Sequence, residues 1–160
     1  MSDKNPQLYV LDMKRADIGD ILSIIEECSL SEWSADGLQQ EIEREDSLKS
    51  VVKRNGETLG FMLARLVSDS ELDILNFGVL NKQQKQGIGS MLWKRLLERA
   101  LEKSVESIWL EVRESNTNAI KFYKSKGFTI IQMRKNFYKL PTENALLMNL
   151  SIEKNESNFS

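Results

Sequence analysis

Apolar residues recur along the chain with two periods, and the changes between them mark the elements. Residues 7–13 (QLYVLDM) alternate as a short first strand. Asp17 then reads as the N-cap of a helix whose apolar face carries Ile18, Ile21, Leu22 and Ile25, with Cys28 on the same face. A second, shorter helix is expected after Ser34, with Leu38 and Ile42 inward. From Leu48 the period becomes two. Ser50 to Arg54, the turn Asn55-Gly56 and Gly60 to Val67 predict a hairpin, and Leu72 to Leu80 predicts a third strand after a polar break at Ser68 to Ser70.

Helical spacing returns between Gly87 and Lys103, where Leu92, Trp93, Leu96, Leu97, Ala100 and Leu101 form one broad stripe. Residues 107–113 (SIWLEVR) predict a buried strand. Asn116 predicts the cap of a helix ending at Gly127, with a strand beginning FTIIQM after it and a last strand over 144–152. The tail from Lys154 is expected to be disordered. The order β-α-α-β-β-β-α-β-α-β-β is neither a regular βαβ alternation nor all-antiparallel. It predicts an α/β fold with a mixed sheet and helices on both faces, as one domain over residues 1–153.

Composition narrows the function more than the fold. With 160 residues, 41% hydrophobic and 29% charged, the chain has the makings of one packed core. The net charge of −2 is spread along it, so no basic stripe points to nucleic acid. Its apolar runs are too short to span a membrane, and Met1 to Gln7 lacks a signal-peptide core, so a cytoplasmic location is expected. Cys28 is the single cysteine and histidine is absent. An internal disulfide, a multi-cysteine zinc site and the Ser-His or Cys-His nucleophilic pairs are thereby excluded, and no metal is expected. Acid–base chemistry must use carboxylate, tyrosine, lysine or water.

Gln84-Lys85-Gln86-Gly87-Ile88-Gly89 lies between a strand and the long helix. Two glycines there let the backbone approach a ligand, and the N–H groups of the helix start can hold a diphosphate, with the helix dipole adding about 0.3 to 1 kcal/mol. A plain strand-to-helix turn has the same pattern, and the spacing fits neither the Walker nor the dinucleotide fingerprint. Gln84, Gly87 and Gly89 match the Q/R-x-x-G-x-G/A motif of the GNAT superfamily of acetyltransferases, which this chain resembles. Within it, LNFGV before the motif, IWLEVRESNTNAIKFYKSKGF after it and the later RKNFY are similar to the bacterial ribosomal-protein-alanine N-acetyltransferases. The likeness covers residues 60–150 well and the first 50 loosely, through Glu32-Trp33-Ser34.

That resemblance implies a GNAT fold with a largely antiparallel sheet, and direct transfer of acetyl from acetyl-CoA to a primary amine. It also implies the sites. Backbone groups of Phe77, Gly78 and Val79 would follow the pantetheine arm and acetyl carbonyl. Lys85, Gln86, Gly87, Ile88, Gly89 and Ser90 would wrap the diphosphate, Asn116 would touch the cofactor, Glu111 would be the general base and Tyr123 the general acid. On the residues alone, Glu111 reads equally as a half-exposed strand glutamate paired with a lysine or arginine. Tyr123 reads as a packed residue beside Ala119, Ile120 and Phe122, and Arg134, Lys135, Asn136 and Tyr138 as solvated surface before a turn.

The chain departs from the family in two places. Leu80-Asn81-Lys82-Gln83 stands where proline and tyrosine are common, and Phe137-Tyr138-Lys139-Leu140-Pro141 stands for a Y-Y-P run. These changes bear on the acceptor rather than on the cosubstrate. A protein N-terminus such as that of a ribosomal protein is the expected acceptor. A small-molecule amine, or a non-catalytic acyl-CoA-binding module that regulates a partner, are the alternatives, and the sequence is silent on oligomeric state.

Overall fold

In the computed structural model, which describes residues 6–152, Asn55 and Gly56 take φ values of 52° and 78°. Two successive left-handed residues are what a two-residue hairpin loop requires, and they join β2 (Ser47–Arg54) to β3 (Glu57–Leu66) in antiparallel register from Ser47↔Arg65 to Arg54↔Glu57. β1 (Tyr9–Asp12) pairs antiparallel with β2. β4 (Glu71–Val79) follows β3 after a four-residue connection, too short for a parallel crossover. The helix α3 (Ile88–Glu102) then crosses to β5 (Ser107–Arg113), which lies parallel to β4 from Glu71↔Ser107 to Asp73↔Trp109. β6 (Thr129–Tyr138) and β7 (Glu143–Ser151) are antiparallel, with β7 against β5, giving the strand order β1-β2-β3-β4-β5-β7-β6.

The described residues form two compact units. One lies within Met1–Arg65 and Leu75–Glu102, the other within Leu66–Ile74 and Lys103–Ser160. In the first, alternation along β2 and β3 sends side chains to two covered faces. Val51, Phe61 and Leu63 join Ile21, Ile24 and Ile25 of α1 (Ile18–Glu27) and Leu38 of α2 (Ala35–Glu43) in one cluster. Gly60, on the opposite face, lies under α3: a Cβ there would stand 2.9 Å from Ile88 Cγ2. Leu92, Trp93, Leu96 and Ala100 of α3 are buried, each large side chain worth roughly 1.5 to 3 kcal/mol of burial. These strands therefore carry helices on both faces.

In the second unit the covered face of β5 is Ile108, Leu110 and Val112, which pair in register with Leu150, Met148 and Leu146 of β7. Tyr123 of α4 (Thr117–Ser125) and Phe128 are buried with them, ring edge to ring face at 5.4 Å.

One local expectation is corrected in part. Asp17 stands at the N-cap position of α1 as expected, but its side chain makes no cap hydrogen bond to that helix. It closes a 3-10 turn at Arg15–Asp17, its Oδ2 accepting from Lys14 N at 2.8 Å while Oδ1 pairs with Lys53. β6 runs on to Tyr138, and Arg134, Lys135 and Asn136 are exposed on it ahead of the turn, as the sequence reads; register shifts after Ile130 and after Arg134 break its regular alternation. A second 3-10 turn, Asn81–Gln83, stands between β4 and the glycine motif. Asn116 is a cap as expected, accepting from Ala119 N at 3.2 Å, and Ser34, expected only to precede α2, caps it by accepting from Gly37 N at 2.9 Å. The expected tail from Lys154 lies outside the described residues. Among those described, no helix is long and apolar enough to cross a membrane.

Candidate active site

Each unit contributes its own group of candidate residues. In the first, the chain leaves β4 at Val79, turns through Asn81–Gln83 and enters α3 at Ile88. Lys85 and Gly87 sit at φ 63° and 85°, and α3 begins with Met91 N donating to Gly87 O. The next amides, Ile88 and Gly89, belong to the first helical turn, whose N–H groups have no intrahelical acceptor. Lys85, Gln86, Gly87 and Ser90 are exposed, whereas the Ile88 side chain is buried under the sheet. Of Ile88, only the backbone remains open to a ligand.

The segment is tied down on several sides. Val79 O accepts from Gln84 Nε2 and from Cys28 Sγ, each at 3.2 Å, and Glu27 Oε2 accepts from Asn81 N at 2.8 Å. Cys28 packs at the rim of the α1 cluster as expected, yet its thiol reaches Val79 at the end of β4, a contact across 51 positions that no local pattern signals. Burial, then the Glu27 carboxylate, pushes this thiol up, so it stays a protonated donor at neutral pH. Phe77 N donates to Asn76 Oδ1 at 3.0 Å, and Gly78 packs so closely that a Cβ would meet Leu30 Cδ1 at 2.7 Å. Arg54 Nη1 and Nη2 donate to Gln83 Oε1 and Gln86 Oε1 at 3.2 and 3.1 Å.

In the second unit, β5 alternation puts Trp109, Glu111 and Arg113 on the face opposite its apolar side chains, as the sequence predicts. Across the ladder Glu111 meets Leu147, and Arg113 and Arg134 both meet Ala145. Glu111 Oε1 lies 3.4 Å from Arg134 Nη1, the arginine partner that the plain strand reading allows for. Arg113 Nη1 donates to Glu143 Oε2 at 3.2 Å and to Pro141 O at 3.3 Å, and its guanidinium stacks 4.2 Å over the Tyr138 ring.

Tyr138 is the residue that sequence reasoning undervalued. It is half-buried where the rest of β6 is exposed. Its hydroxyl is pushed up to about 12 by burial first and the Glu111 carboxylate second, with Arg113 opposing and Glu143 adding. The buried Tyr123 is pushed further up, by burial and then by Tyr138. The Glu111 carboxylate thus helps to raise the Tyr138 hydroxyl, and Tyr138 that of Tyr123. The signal available in sequence was the aromatic interruption of a charged run; its partners Arg113 and Glu111, 25 and 27 positions away, were not. Asn116 Oδ1 is committed to the α4 cap, which leaves its amide nitrogen as the group it can offer a ligand.

Residues 18–128 match the acetyltransferase (GNAT) family. The chain belongs to this family. It is 33% identical over 143 residues to the ribosomal protein bS18-alanine N-acetyltransferase of Haemophilus influenzae, covering 87% of this chain and 95% of that one. The enzyme of the same name from Escherichia coli is 37% identical over 103 residues, 62% of this chain and 68% of its own. The crystal structure of the Escherichia coli ribosomal-protein-S18-alanine N-acetyltransferase superposes with a TM-score of 0.83 at 28% identity, over 95% of this chain and 98% of that one. Ard1 from Thermoplasma volcanium gives a TM-score of 0.86 at 26% identity, over 92% and 99%. The protein is therefore an acyltransferase of the GNAT N-acetyltransferase type, and the mixed, largely antiparallel sheet is the GNAT fold.

Proposed function

We propose that this GNAT enzyme transfers acetyl from acetyl-CoA to the N-terminal α-amine of a protein, an N-terminal alanine of a ribosomal protein of the bS18 kind. The observation that carries the reading is the 33% identity to an enzyme named for that reaction, spread over 95% of its length. Such an acceptor puts the reaction in the cytoplasm.

The donor set fits acetyl-CoA. Exposed Lys85 to Gly87 and the N–H groups opening the 15-residue helix α3 suit a diphosphate, and backbone groups of Phe77 to Val79 suit the amide-bearing pantetheine arm. Asn116 contributes through its amide nitrogen. Acetyl-CoA supplies an acyl carbon already activated as a thioester.

An α-amine has a pKa near 8 and is mostly protonated at neutral pH, so a base must take its proton before nitrogen can attack. Glu111 fills that role and passes the proton to solvent. The bond from nitrogen to the carbonyl carbon forms and the carbon–sulfur bond breaks. Tyr123, held protonated by burial at any working pH, protonates the departing sulfur and is reprotonated from the attacking nitrogen.

The test offers alanine-terminated peptides and free amines of small molecules side by side, with acetyl-CoA, and locates the added 42-dalton group by mass spectrometry, about the mass of one acetyl minus hydrogen. Acetylation of the peptide α-amine is expected. Modification of small amines alone would assign the enzyme to another acceptor class, and no turnover of either with acetyl-CoA bound would make it a binding module.

A further inference from the structure

We propose that Arg54, at the end of β2, is the positioning residue that holds the diphosphate turn in its binding shape before the cosubstrate arrives. The inference rests on the reading of Lys85 to Ser90 as the diphosphate site. Lys85 is a non-glycine residue in the left-handed region, at φ 63°. Such a conformation costs free energy and persists where its surroundings over-determine it. Arg54 supplies the constraint: one guanidinium nitrogen binds Gln83 Oε1 and the other Gln86 Oε1, at 3.2 and 3.1 Å, so a single planar fork grips the chain on both sides of Lys85.

The anchor is itself well placed. Arg54 is the last residue of β2, paired with Glu57 across the two-residue Asn55-Gly56 loop, and so belongs to a hairpin rather than to a free loop. From the other side, Glu27, Cys28 and Gln84 secure Asn81 and Val79. The turn between is thereby shaped in the ligand-free protein. Its N–H groups need no rearrangement to receive a diphosphate, which lowers the ordering cost of binding and leaves the chemical step untouched.

The proposal predicts a change in cosubstrate affinity without a change in turnover. Arg54→Met removes both bonds, and loss of two charge-assisted hydrogen bonds corresponds to roughly five- to thirtyfold in affinity. The KM for acetyl-CoA should rise by that factor with kcat within twofold of the parent. Arg54→Lys keeps the charge but not the fork, and should recover little. Gln83→Ala, outside the binding set, should reproduce part of the loss and add little to Arg54→Met in the double variant.

Hydrogen exchange of residues 84–90 in the ligand-free proteins reads the brace without any ligand, and should be faster in Arg54→Met while the core strands keep their protection. Full recovery by Arg54→Lys, affinity within twofold in Arg54→Met, or unchanged exchange in the turn would each overturn the proposal. If Arg54→Met fails to fold, Gln83→Ala carries the same two readouts. A parent protein that binds no acetyl-CoA would sink the function reading, while the exchange comparison would still decide on the brace.

Discussion

Glu111 and Tyr123 are assigned to opposite ends of one reaction, so their variants should fail differently. Glu111→Gln keeps size and hydrogen bonding but cannot accept the proton. Its rate at neutral pH should fall by roughly 10² to 10⁴ and recover partly at high pH, where the amine deprotonates itself. Tyr123→Phe keeps the buried ring against Phe128 and removes the donor, so acetyl-CoA affinity should hold while turnover drops, without rescue by alkali. Steady-state kinetics from neutral to alkaline pH would separate the two, and near-parental turnover in both would leave catalysis to positioning alone. Tyr138 gives a stability prediction. A phenol titrates near 10 in the unfolded chain and is pushed up to about 12 here, so between these values the folded state holds a proton that the unfolded state has lost. Its contribution is complete below pH ~10 and disappears as pH rises toward ~12. Tyr138→Phe should therefore show a shallower fall of unfolding free energy across that window in denaturant titrations. An identical slope would mean that Tyr138 titrates normally.

At the level of elements, the local signals were legible wherever chain neighbours satisfy one another. Asn55-Gly56, the Ser34 and Asn116 caps, and the stripe of α3 act within a few residues, and the order of strands and helices followed from them. What escaped reading depends on distant partners. The Asp17 carboxylate pairs with Lys53, 36 positions on, and β6 keeps its ladder with β7 although its own alternation is broken by register shifts. The fork of Arg54 on Gln83 and Gln86 spans 29 and 32 positions. Asn116 shows how one residue can serve an element and a site together. Asn116→Ala removes the acceptor for Ala119 N and should cost about 1 kcal/mol of stability, while Asn116→Asp keeps a cap of equal rank. If the amide nitrogen also contacts acetyl-CoA, Asn116→Asp should unfold like the parent yet bind the cosubstrate more weakly by calorimetry. Parental affinity in the aspartate variant would make Asn116 a cap and nothing more.

At the scale of the whole molecule, family and fold were legible because a GNAT enzyme keeps its cosubstrate motif and element order in local sequence. The grouping of Arg113, Arg134 and Tyr138 was not, because only the ladder brings these side chains together. One expectation about the whole chain is open to direct measurement: that it folds as a single domain. β4 gives Glu71–Ile74 to one compact unit and Leu75–Val79 to the other, so a nine-residue strand cannot persist in one and melt in the other without breaking in its middle. The unit within Leu66–Ile74 and Lys103–Ser160 is also small, and a domain of about 60 residues buries only ~60% of its unfolded surface and is marginal alone. We expect one calorimetric transition whose van't Hoff and calorimetric enthalpies agree. Acetyl-CoA at 100 times its dissociation constant should then stabilise by about 2.7 kcal/mol, and the whole transition should move. Two transitions, with only one displaced by the ligand, would divide the chain into two domains and assign acetyl-CoA binding to the one that moves.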